Sequence, residues 1–192
     1  MRSSIVILIV ALAGLIGGAL SAWYAIDRSQ GFGTIEIGPW TAVPYASAGE
    51  VDPYTVARSV VEGSVPLGVT EGLAFNALTD SNGGTLSLTC DYDISGITPS
   101  AKLWTLVAYG PDGQPAEPAP GGASALYSGA IVRFADGSYK VSLSRFVKPG
   151  NWLGVSGDGS FRLTLRLYDT SITGSAHLDE LHMPSIVRGA CR

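Results

Sequence analysis

NWLGVSGDGSFRLTLRLYDT, residues 151–170, is the stretch that decides the fold. Within it Phe161, Leu163, Leu165 and Leu167 alternate with Arg162, Thr164, Arg166 and Tyr168. A strict period of two puts successive side chains on opposite faces of an extended chain. The apolar four therefore face a core and the polar four face outward, with Ser-Gly-Asp-Gly just before them as a turn. The same residues pose the functional question. Trp152, Arg162, Arg166 and Tyr168 offer a stacking surface and forked donors suited to an anionic or sugar ligand. The alternative is structural: Arg166 pairs with a carboxylate on the next strand, and Trp152 fills the end of a sandwich. The stretch is first a fold element and second a candidate site.

The pattern repeats outward from this strand. In Thr85–Ser95, residues Leu86, Leu88, Cys90, Tyr92 and Ile94 share one face after the turn at Gly83-Gly84. Lys102–Gly110 reads as another strand, closed by Gly-Pro-Asp-Gly, and residues 117–124 as a surface loop. Around Ala-Asp-Gly at 135–137, two alternating runs make a hairpin signal. A short strand is expected around Thr34–Ile37, and residues 71–80 read as a strand or an irregular segment. One helix is expected over 52–62. Asp52 suits its N-cap, Pro53 its first position, Val51 and Val56 a hydrophobic staple, and Gly63 its end. Many short strands and little helix predict a mainly β fold, an antiparallel jelly-roll-like sandwich with a short helix.

The first residues differ in kind. Ser4–Ile26 carries no charge and is broken only by small residues. At ~1.5 Å per residue it spans a hydrocarbon core of about 30 Å, with Trp23 and Tyr24 at headgroup level. Residues 1–27 thus read as a transmembrane anchor and 28–192 as one domain. The rival is a cleaved signal peptide, for which Ala-Leu-Ser-Ala at 19–22 supplies small residues, although the apolar core is longer than such peptides need. Arg2 favours a cytoplasmic N-terminus and an exported domain. Gly14 and Gly18 form a small-xxx-small pair, which glycine tolerance in membrane helices also explains.

Net charge is -4, and no Lys/Arg cluster stands out, which argues against a nucleic-acid partner. Cys90 and Cys191 are the chain's two cysteines. In an oxidising compartment such a pair becomes a disulfide, closing a loop of about 100 residues and pinning the tail.

At these residues the chain resembles the bacterial domain of unknown function 1214. The matching motifs are DPYTVARSVVEGSVPLGVTEGLAF, CDYDISG with a later LWTL, PGNWLGV with FRLTLRLYDT, and MPSIVRGAC. The resemblance implies a β-rich domain, in the form that follows a single membrane helix in alphaproteobacterial envelopes. It also implies a protein partner, since a sister domain of unknown function, 1254, often accompanies the family, fused or separate. It implies no activity. Two departures stand out: Gly154, where a proline commonly follows the Asn-Trp-Leu run, and a missing tail tryptophan.

Other constellations are weaker. His177 and His182 flank Asp179 and Glu180, but the spacing fits no helical zinc pattern, so the run reads as a solvated acidic turn and no metal is expected. There is no Gly-x-Ser-x-Gly elbow and no phosphate loop, and no cofactor is expected. Asp91 and Asp93 flank Tyr92 on one outward face, and serve glycoside chemistry only if they line a cleft. As a solvated face they would discourage edge pairing. Together these features predict a single-pass inner-membrane protein whose periplasmic sandwich is a non-catalytic envelope interaction module. The alternative is a domain that binds or hydrolyses an envelope saccharide or small acid through Arg166, Tyr168 and Trp152.

Overall fold

The computed structural model describes residues 2–28, 34–43, 71–170, 172 and 181–192, together with positions 53, 57, 60 and 67. Among these residues helix α1 (Arg2–Arg28) precedes ten strands. These are β1 (Ile35–Ile37), β2 (Trp40–Ala42), β3 (Gly72–Ala77), β4 (Cys90–Gly96), β5 (Leu103–Tyr109), β6 (Ala125–Tyr127), β7 (Tyr139–Ser144), β8 (Asn151–Gly154), β9 (Arg162–Tyr168) and β10 (Ser185–Cys191). Within α1, Ser3–Ala25 is long and apolar enough to cross a membrane, and a signal sequence would have the same character.

The strands form a six-stranded sheet ordered β1-β2-β3-β9-β5-β6 and a four-stranded sheet ordered β10-β4-β7-β8. The expected sandwich is present. β9 lies at the centre of the larger sheet, paired antiparallel with β3 on one side and β5 on the other. Its leucines, Leu163, Leu165 and Leu167, are fully buried, as the period of two requires. They share one core with Phe75, Trp104 and Leu106 of their own sheet and with Tyr92, Ile94, Val141, Leu143 and Leu153 of the other. Trp104 stacks on Tyr139 with ring centroids 5.0 Å apart, and Tyr92 meets Phe161 edge-on at 5.7 Å. Each fully buried large side chain contributes about 1.5–3 kcal/mol relative to exposure.

The 85–95 alternation holds: Leu86, Leu88, Cys90, Tyr92 and Ile94 are all buried. Cys90 and Cys191 form the expected disulfide, tying the end of β10 to the start of β4 across a separation of 101 residues. A buried carboxylate fastens the same edge. Asp80 Oδ1 accepts the backbone N–H of Asn82 at 3.0 Å and of Gly84 at 2.9 Å, and Oδ2 pairs with Arg188 Nε at 3.0 Å. Arg188 also donates to the Thr85 carbonyl. An acid this deeply buried is tolerated because both oxygens are satisfied.

The structure departs from the sequence reading in three places. β2 forms where a loop was expected, because Trp40 is driven fully into the core and its Nε1 donates to the Pro184 carbonyl at 2.7 Å. β7 and β8 pair in parallel, so the smaller sheet is mixed. The Ala-Asp-Gly turn closes, with Gly137 at φ 83° and Phe134 N–H donating to Ser138 O at 2.8 Å. Its flanks then separate: β6 pairs with β5, whereas β7 pairs with β4 in the other sheet. Of the expected 52–62 helix, Pro53, Ala57 and Val60 are helical and the other positions lie outside the described residues. His177, Asp179 and Glu180 also lie outside them, and no group of three or more possible metal ligands occurs among the described residues.

Candidate functional site

Two outward faces carry the polar chemistry. On the six-stranded sheet, β9 presents Arg162, Thr164, Arg166 and Tyr168. Arg166 Nη1 donates to the Tyr109 hydroxyl at 2.6 Å, and the guanidiniums of Arg166 and Arg162 lie 5.3 and 5.6 Å from the Tyr109 ring centre. The register explains the meeting: Tyr109 stands directly opposite Arg162, and Arg166 lies two outward positions along the strand. Between the two arginines Thr164 is buried, donating to Asn76 Oδ1 at 2.8 Å. Arg166 thus takes a phenol as its partner, and among the described residues it is in no ion pair with a carboxylate. Arg162 also lines a groove of about 590 Å³ with Leu78, Thr79 and Asp112. Tyr168 ends the strand, opposite Gly72 and Leu103.

Trp152 is elsewhere. It sits on β8 beside Ser142 of β7, on the outer face of the four-stranded sheet, and its Nε1 donates to the Ser144 carbonyl at 3.0 Å. Its ring covers Gly154, where an added Cβ would stand 3.0 Å from the indole and 2.8 Å from the Cα of Gly122. Glycine at 154 is therefore what lets the 119–123 loop close onto β8. The structure brings Arg162 and Arg166 together and puts Trp152 on the opposite side of the sandwich.

The face that Trp152 does share holds a groove of about 670 Å³. Asp91 and Asp93, two residues apart on β4, both line it. Each is held by one lysine and one serine. Asp91 pairs with Lys148 Nζ at 2.9 Å and accepts from Ser144 Oγ at 2.8 Å. Asp93 pairs with Lys140 Nζ at 2.9 Å and accepts from Ser142 Oγ at 3.1 Å. Burial alone would raise the Asp91 carboxyl. Hydrogen bonds from Lys148 and Ser144, with the positive charges of Lys148 and Arg192, outweigh it and hold the group below its ordinary 3.8. Arg133, Val132 and Phe134 wall one end of the groove. Asn151 ties that wall down by accepting from Val132 N–H at 2.7 Å and donating to the carbonyls of Val132 and Lys140.

The outward position of Asp91 and Asp93 was legible from alternation. Their lysine partners were not, because Lys140 and Lys148 lie on β7 and the loop after it, about 50 residues downstream. Tyr109 was missed for the same reason. Its outward face follows from the buried Trp104, Leu106 and Ala108, but the β5–β9 register that sets it against the arginines does not.

No curated protein matches the chain. Among solved structures it is similar to the VPA0106 protein of Vibrio parahaemolyticus, at 19% identity and a TM-score of 0.62, covering 95% of this chain and 45% of that one. It also matches an uncharacterised protein of Burkholderia cenocepacia at 17% identity and a TM-score of 0.45, covering 68% of this chain and 33% of that one. The chain therefore spans less than half the length of either solved relative. The first likeness is one of fold. The family model described as protein of unknown function (DUF1214) matches residues 71–172, which take in β3 through β9 and both polar faces, and with just over half its length matched the chain belongs to the DUF1214 family.

Proposed function

We propose that the chain is a single-pass inner-membrane protein, anchored by residues 1–27, whose periplasmic domain, residues 28–192, is a non-catalytic interaction module of the cell envelope. The apolar helix and the Cys90–Cys191 disulfide support the location, since disulfides persist outside the reducing cytoplasm. The observation that carries the function is the paired charge of the 670 Å³ groove. Asp91 and Asp93 are each committed to a lysine and a serine, which makes a fixed pattern of alternating charge suited to registering a complementary protein surface. The partner we favour is a protein carrying the domain of unknown function 1254. The Vibrio relative has more than half its length beyond the matching part, so in that protein this fold sits beside further sequence.

The test is photocrosslinking in cells from a probe at Ser142 of the full-length protein, with a co-expressed protein of that sister family. We expect an adduct that the double charge reversal Lys140→Glu, Lys148→Glu abolishes. No adduct, or one indifferent to the reversal, rules the groove out as the contact. One observation favours a second reading, binding of a small acid or saccharide on the six-stranded sheet. Arg166 and Arg162 converge on Tyr109, with Tyr168 further along the same face. Trp152 takes no part in that version, and loss of ligand retention on Arg166→Ala would support it.

A further inference from the structure

At one end of the sandwich lie two buried hydrogen-bond donors without acceptors. Trp104 is 2% exposed and Tyr139 is 1% exposed, and neither Trp104 Nε1 nor Tyr139 Oη has a hydrogen-bond partner among the described residues. Buried polar atoms are nearly always satisfied, and an orphan retains its full desolvation cost. The two orphans belong to neighbouring side chains, whose rings stack 5.0 Å apart. Burial pushes the Tyr139 phenol up, against the opposing pull of Arg133, so the group stays a protonated donor at neutral pH.

The third group is Arg133. It stands across an isolated bridge from Tyr139, and its guanidinium lies 5.6 Å from the Tyr139 ring centre and 5.8 Å from that of Trp104. It donates to the Gly137 carbonyl at 3.2 Å and is in no ion pair among the described residues. Of the three, Arg133 alone lines the groove over the four-stranded sheet. Each of these three side chains offers hydrogens and none offers a strong acceptor. One cation between aromatic walls matches a monoanion, and the guanidinium fork fits a planar carboxylate.

We propose that Arg133, Tyr139 and Trp104 form a binding site for a carboxylate, whether on a free small acid or on a sugar acid, with Arg133 covering it from the groove side. The site is separate from the Arg162–Arg166 face, and although Arg133 shares the groove with the Lys–Asp pairs, its test is read without any partner protein and so stands or falls independently of the partner reading above.

The experiment uses the full-length chain in nanodiscs, labelled with ¹⁵N at the indoles of its four tryptophans. The Trp104 Nε1–H resonance is assigned by its through-space contacts to the Tyr139 ring. Sodium acetate and sodium glucuronate are titrated at matched ionic strength, with phosphate as the comparison anion. The expected result is a saturable shift of the Trp104 indole, with affinity at least tenfold weaker in Arg133→Gln and three- to tenfold weaker in Tyr139→Phe. A response to both acids indicates a free-acid site, and a response to glucuronate alone indicates a sugar-acid site. Each would support the assignment. An indole that responds to neither acid, or only to phosphate, overturns it. So does Tyr139→Phe raising the melting temperature while leaving the titration unchanged, because the hydroxyl would then be a plain orphan. Arg133 is exposed at the surface, so the Arg133→Gln arm reads binding and not folding.

Discussion

The two outer faces of this sandwich handle positive charge in opposite ways. On the four-stranded sheet every lysine in the groove is matched to an aspartate, and a serine fixes each carboxylate from the neighbouring strand. On the six-stranded sheet two arginines lean on one tyrosine. Matched charge at a half-exposed site adds little stability but sets a directional pattern. A guanidinium held by a phenol keeps its full charge and can exchange that neutral partner for an anion. On the reading proposed above the first face registers a protein surface, and on the alternative reading the second takes an anionic group. The smaller sheet is also the stapled one, through Cys90–Cys191 and the Asp80–Arg188 pair.

That contrast can be broken or sharpened experimentally, beginning with the staple. Cys191→Ser should cost about 4–5 kcal/mol by the loop-entropy model, read as a lower urea midpoint of the full chain. Hydrogen exchange should rise first in β10 and β4 and last in β9. Uniform loosening of both sheets would show that the disulfide does not act on the smaller one alone. Gly154→Ala should cost about 1–3 kcal/mol, because the new methyl meets Gly122 and the Trp152 ring. A smaller loss in the double variant Gly154→Ala, Trp152→Leu would identify the indole as the obstruction.

The charged groove makes a pH prediction. The folded Asp91 carboxyl sits below its ordinary value, so its stabilising contribution is fully present above the unfolded value, near 3.8, and is lost as pH falls through the folded value. Lys148→Ala should raise the Asp91 titration midpoint by NMR and move the onset of acid unfolding to higher pH. An unmoved midpoint would mean that Ser144 and the charge of Arg192 hold the carboxylate without the lysine. The smallest effect is expected on the other face. Arg166→Ala should lower stability by less than about 1 kcal/mol, the scale of an exposed cation–π contact. A loss above about 2 kcal/mol would make that arginine structural, and the contrast between the faces would collapse.

How much of this was legible in the sequence can be followed residue by residue. Alternation alone placed Leu163, Leu165 and Leu167 in a core and Arg162 and Arg166 outside it, because side-chain direction in a strand is set by position and needs no knowledge of the neighbours. Composition alone marked the apolar helix, and cysteine count with the expectation of export marked the disulfide. Those are local or additive properties. Strand neighbours are neither. β9 sits between β3 and β5, the flanks of the Ala-Asp-Gly turn go to different sheets, and β2 exists because Trp40 finds the core and the Pro184 carbonyl. The candidate sites depend on the same long-range pairing. Tyr109 meets Arg166 from 57 residues away, and Trp152, close to both arginines in sequence, is carried to the opposite sheet. The sequence by itself determined which side of a recognised strand each side chain takes, since that follows from solvation and a period of two. Only the tertiary structure decided which outward side chains share a face, since register and sheet order are settled by the packing of the whole core.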